Sequence, residues 1–150
     1  MKSLENSPSI LTSLTELQEK TRADSIILWL YQEFEEALIA TLCPSLPEMK
    51  GFQQKLDTGI ISQSFVAGLP ILETHLKKNS LHDPTFDNSS GRDCKSLMAC
   101  PVAFEENFVG VLSAAMFENM GESESRDFSE VDLKFLSLFG QSLEKKLQND

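Results

Sequence analysis

The sequence predicts an α+β domain built on a mostly antiparallel sheet. Three observations predict it. Apolar runs come in neighbouring pairs joined by a few polar residues, at 24–31 with 36–42 and at 95–104 with 108–117. Helix-period segments stand at the two ends, about 7–21 and about 129–147. The strand–helix–strand rhythm of a parallel sheet is missing. At 150 residues the chain is the length of one domain, placed here over 1–150. That length buries a core without disulfides or metals.

The elements follow in order. In SPSILTSLTELQEKT, Ser7 stands in N-cap position with Pro8 behind it, and Ile10, Leu14 and Leu17 share one stripe. DSIILWLY (24–31) and EALIATL (36–42) read as a strand pair closed by Pro44 and Pro47, since proline cannot donate to a ladder. Residues 51–57 are weakly extended. Thr58 is then expected to cap a helix over GIISQSFVA, stopped by Gly68 with Pro70 beyond, before a brief strand at 71–74. Residues 76–93 are polar and turn-rich, and a loop of that length inside a domain is often functional. KSLMACPVAF and FVGVLSAAMF form the strongest hairpin signal, apolar enough to be covered on both faces. Ser129 caps the last helix, with Asp132 three residues on in capping-box position. The apolar residues of that helix form a band wider than one contact surface needs, so one side is expected to cover the sheet and the other to meet a partner helix.

Composition excludes several functions. The net charge of −10 repels phosphate backbones and anionic lipid headgroups, so neither nucleic acid nor membrane is expected as a partner. No apolar stretch reaches the roughly 18 residues of a membrane span, and the N-terminus lacks the apolar core of a signal peptide. A cytoplasmic location is expected. Three cysteines without a C-x-x-C pair, and only His75 and His82 beside them, fit neither a disulfide framework nor a zinc site. His75 with Glu73, and His82 with Asp83, are more readily turn or surface residues than acid–base pairs. Ser89-Ser90-Gly91 lacks the glycine spacing and lysine of a phosphate loop.

Four segments together resemble a GAF domain. KTRADSIILWLY is similar to the family's opening strand, where an Ala-Asp or Ala-Ser pair precedes an apolar run. LDTGIISQSFVAGLPILET resembles its Gly-Ile, helix, Gly-x-Pro, strand block. KSLMACPVAFEENFVGVLSAAMF resembles its Ser-Leu-Leu-x-x-Pro hairpin, and DFSEVDLKFLSLFGQSLEKKL the Phe-Ser/Thr-x-x-Asp start of its last helix. The order and spacing of the pieces carry the likeness over nearly all of 10–147. It implies a profilin-like, six-stranded antiparallel sheet. The N- and C-terminal helices would lie on one face, with loops and short helices roofing the other.

The resemblance also implies a sensory or regulatory role in signal transduction, non-catalytic, through an unidentified small molecule, through homodimerisation, or both. A signalling partner protein is expected, and no cofactor is identifiable. A ligand-free interaction module is the alternative, and a redox enzyme of the free methionine sulfoxide reductase type a distant one. The family's chemistries can be tested by position. The cyclic-nucleotide signature is kept at Phe128 and Asp132 but replaced at Met116, Phe117 and Leu133. No cysteine is followed by the histidine usual for bilin attachment. The reductase branch needs a cysteine just after the glycine opening the middle helix, where this chain has Gly59 followed by Ile60, Ile61 and Ser62. Carried over by position, a ligand pocket would draw on Cys43, Ile61, Phe65, Phe86, Ser90, Cys94 and Ser96. A bundle dimer would use Ile10, Leu14 and Leu17 of the first helix and Phe139, Leu143 and Leu147 of the last.

Overall fold

Among the described residues six strands form one antiparallel sheet, in the order β3-β2-β1-β6-β5-β4. They are β1 (Ser25–Gln32), β2 (Ala37–Leu42), β3 (Gln53–Lys55), β4 (Ile71–Glu73), β5 (Cys94–Phe104) and β6 (Asn107–Phe117). Helices α1 (Pro8–Thr21), α2 (Ile60–Ala67) and α3 (Glu130–Asn149) accompany them, with a 3-10 turn at Pro47–Met49. The computed structural model describes residues 8–74, 94–117 and 127–149, the side chains of 146–149 excepted. The predicted α+β class and six-stranded antiparallel sheet are what it shows.

Strand alternation divides the apolar residues into two cores. On one face Ile26, Leu28, Met98, Val102, Leu112 and Ala114 meet Ile10, Leu14 and Leu17 of α1 and Leu136 and Leu143 of α3. On the other, Ile27, Trp29, Leu38, Ala99 and Val111 lie under a roof made by the 3-10 turn and α2, through Met49, Ile60 and Ile61. Both central strands are thus covered on both faces, which is why their sequences are nearly continuously apolar. Gly110 is required at the centre: a Cβ there would lie 2.0 Å from the Trp29 carbonyl oxygen across the β1–β6 ladder.

The ends of the elements follow local rules. At α3 the backbone N–H of Ser129 donates to Asp132 Oδ2 at 2.9 Å, and the Asp132 N–H to Ser129 Oγ at 3.3 Å, the reciprocal capping box. Helix α2 ends on Gly68 in the left-handed region, φ 70°. Its start differs from expectation. Gly59, with φ 88°, holds the N-cap position without a side-chain bond, while Thr58 accepts from Gln54 Nε2 through its carbonyl at 3.1 Å. The prolines after β2 do more than end a strand, since Pro47 opens the 3-10 turn that contributes Met49 to the roof-side core.

Candidate functional site

The roof face of the sheet is the candidate site. Period-two alternation brings Trp29 and Tyr31 of β1, Ala99 of β5, and Val111 and Ser113 of β6 to that face. Both polar groups at its centre are buried and satisfied, Trp29 Nε1–H donating to Ser113 Oγ at 2.8 Å. At the margin Phe65 of α2 stacks on Tyr31, with ring centroids 5.1 Å apart. Phe52 meets the Trp29 ring edge-on at 6.4 Å. An aromatic and aliphatic lining with a few fixed polar groups is the usual make-up of a small-molecule site.

Two β-bulges decide which side chains arrive there. On β2, Thr41 is an extra residue between the Leu28–Leu42 and Trp29–Ala40 pairs. On β5, Lys95 is extra between Cys94–Phe117 and Ser96–Met116. Each bulge resets the alternation by one residue. Cys43 and Cys94 therefore join the roof-side core, with Ile61 and, at its edge, Phe65. Four of the seven residues expected at a pocket, Cys43, Ile61, Phe65 and Cys94, thus share one face. Ser96 does not. It keeps the alternation of Met98 and Cys100 on the helix side, where its hydroxyl accepts from the Phe128 N–H at 3.2 Å and donates to the Glu73 carbonyl at 3.4 Å. Phe86 and Ser90 lie outside the described residues. Trp29, Tyr31 and Ser113 were missed from sequence, although parity along the two central strands identifies them.

The thiols of the site are quiet. Burial pushes Cys43 up to about 11, against a smaller lowering by Lys50 and a further rise from Glu48. Cys100, on the helix side, is also raised by burial, with Ser137 opposing as a hydrogen-bond partner. Cys94 is buried, its Sγ 3.6 Å from the Ser96 carbonyl oxygen. A thiol held protonated is a poor nucleophile. Among the described residues no group of three or more His, Cys, Asp or Glu side chains is placed to hold a metal ion.

The expected dimer residues need correction. Ile10, Leu14, Leu17 and Leu143 are buried within the chain's own core, and Phe139 packs against that core. Helical stripes at these positions serve the α1–α3–sheet contact, which sequence periodicity does not distinguish from an intermolecular one. Leu147 lies outside the described side chains. Among the described side chains, the large apolar residues left open on α3 are Val131, Phe135 and Leu138, and Leu11 is open on α1. The Lys20 ammonium sits 6.0 Å from the centre of the Phe135 ring, linking the two helices on that outer side.

A GAF domain family model matches residues 10–147. Among solved structures, the GAF domain of a phosphoenolpyruvate-protein phosphotransferase from Coxiella burnetii superposes with a TM-score of 0.77 at 16% identity, covering 96% of this chain and 85% of that one. The corresponding Acinetobacter domain gives 0.73 at 19%, covering 95% and 80%. The free methionine-R-sulfoxide reductase of Neisseria meningitidis gives 0.71 at 16%, covering 92% and 75%. At these identities the likeness is one of fold. No curated protein matches the chain in sequence.

Proposed function

The chain belongs to the GAF domain family, and we propose that it works as a single non-catalytic sensory and regulatory domain whose roof face takes a small molecule. The observation that carries this reading is the gathering of Trp29, Tyr31, Phe65, Cys43 and Cys94 around one buried face, with the Ser113 hydroxyl at its centre. Such a lining suits a flat, largely apolar ligand with one or two polar edges. Binding there transmits a signal by favouring one of two arrangements of the domain or its dimer, which requires different affinity for the two.

Two features argue against the reductase reading, although reductases share the fold. Gly59 at the head of α2 is followed by two isoleucines rather than a thiol, and burial holds Cys43 and Cys100 in the protonated form. No helix among the described residues is long and apolar enough to cross a membrane.

A second reading, dimerisation without a ligand, is favoured by one specific observation: Val131, Phe135 and Leu138 lie exposed along α3. Ligand and dimer are compatible. Native mass spectrometry of protein purified from cells, followed by thermal unfolding against a metabolite panel, separates them. A retained mass, or a compound that raises the melting temperature and perturbs the fluorescence of Trp29, supports sensing. Dimers with no response across the panel support the ligand-free module.

A further inference from the structure

One end of the sheet carries an exposed apolar surface that the fold does not use. The β1–β6 ladder pairs Leu30 with Gly110, so the β1–β2 turn and the β5–β6 turn emerge side by side. On the first turn Phe34 is 97% exposed. On the second, Val109 is an extra residue between the Val102–Gly110 and Ala103–Phe108 pairs, and this bulge turns Phe108 toward the end of α2. The Phe108 ring lies so near Gly68 that a Cβ there would come within 2.6 Å of it. Val66 and Leu69 flank that glycine and are 66% and 61% exposed, and Phe108 itself is 46% exposed. Scattered single apolar residues are ordinary on a surface, but four large ones at one end of a sheet mark a contact surface.

The surroundings specify what covers it. A cleft of about 360 Å³ opens beside the patch, with Tyr31 and Leu56 as its apolar lining and Glu35, Glu36 and Asp57 opposed by Lys55 alone. Glu33 on the same turn, and Glu105 and Glu106 on the neighbouring one, are exposed. A partner with matching apolar groups must therefore bring positive charge. A second copy of this acidic chain, a nucleic acid or an anionic lipid surface would place like charges against the same carboxylates.

We propose that this end of the sheet docks a basic amphipathic segment of a partner protein. Its apolar side chains cover Phe34, Val66, Leu69 and Phe108, and a lysine or arginine enters the cleft between Tyr31 and the Glu35, Glu36 and Asp57 carboxylates. The surface meets the margin of the roof face at Tyr31, which both share, while Trp29 and Ser113 are buried and are not part of it. It gives the domain a place to hand its signal on.

The test uses the full chain and a fluorescein-labelled helical peptide of leucine and lysine in amphipathic pattern, read by anisotropy. Two control peptides replace its lysines by glutamate or its leucines by serine. The expected result is saturable binding of the leucine–lysine peptide only, weakening as salt rises. Phe34→Ser and Glu35→Lys, both at exposed turn positions, should each weaken it at least tenfold, while Phe135→Ser on α3 leaves it unchanged. Thermal unfolding verifies that each variant is folded. Absence of saturable binding, equal binding of the serine-containing basic peptide, insensitivity to both turn substitutions, or an equal loss in Phe135→Ser overturns the proposal.

Discussion

The indole N–H of Trp29 donates to the hydroxyl of Ser113 at 2.8 Å, tying the two central strands together beneath the roof. Trp29 is fully buried, so the bond is made inside the roof-side core, away from water. Ser113→Ala should therefore destabilise the domain by about 0.5–1.5 kcal/mol, the net contribution of a hydrogen bond. Urea unfolding followed by Trp29 fluorescence, from the chain's single tryptophan, measures it. A loss below about 0.5 kcal/mol would mean that the bond contributes nothing a water does not supply.

Ser96 gives a sharper distinction. By position in the family it would belong to the pocket, yet its hydroxyl joins the start of the α3 segment, through the Phe128 N–H, to β4, through the Glu73 carbonyl. Ser96→Ala should lower stability by about 1–3 kcal/mol and leave the affinity of any roof-face ligand unchanged, because it removes a partner from a buried backbone donor on the opposite side of the sheet. Denaturant melts and ligand titrations on the same preparation check both halves. A loss of affinity at unchanged stability would return Ser96 to the binding face.

The opposite faces taken by Cys94 and Ser96 show where the sequence stops being informative. Both hairpins, the Gly68 stop and the Ser129–Asp132 box were legible, because alternation, left-handed turns and capping are written in nearby residues. The bulges at Thr41, Lys95 and Val109 were not, since an inserted residue in an apolar strand leaves the pattern of residue types almost unchanged while reversing the faces of everything beyond it. That is why Cys94 and Ser96, two positions apart, serve different cores. Likewise the stripe of Ile10, Leu14 and Leu17 announced a buried helix face, but periodicity alone cannot say whether the sheet or another molecule buries it.

Cys43 predicts a pH dependence. Folding raises its thiol from the ordinary 9.0 to about 11 through burial, so the native state favours the protonated form. The corresponding stability is fully present below about pH 9 and is lost as pH rises toward 11, where the buried thiol must ionise. Unfolding free energies of the parent protein should fall between pH 9 and 11 more steeply than those of Cys43→Ala. Native Cys43 should also resist alkylation by iodoacetamide at pH 8 far more than a denatured sample does. Rapid alkylation of the folded chain at pH 8 would contradict a protonated, enclosed thiol.

Leu138 and Leu143 lie five residues apart on α3 and separate dimerisation from folding. Leu138 is 53% exposed on the outer face with Val131 and Phe135, while Leu143 is 1% exposed against the sheet. Leu138→Lys adds a solvated charge to the face proposed for the dimer. It should keep the monomer's fold, with a stability change within about 0.5 kcal/mol, and shift light-scattering mass from dimer to monomer. Leu143→Lys forces an unpaired charge into the helix-side core and should prevent folding altogether, because such a charge costs several kcal/mol. An unfolded Leu143→Lys therefore says nothing about association, and the exposed position carries the test. A parent protein that is monomeric at high concentration, or a Leu138→Lys variant that stays dimeric, would remove the outer face of α3 as the interface.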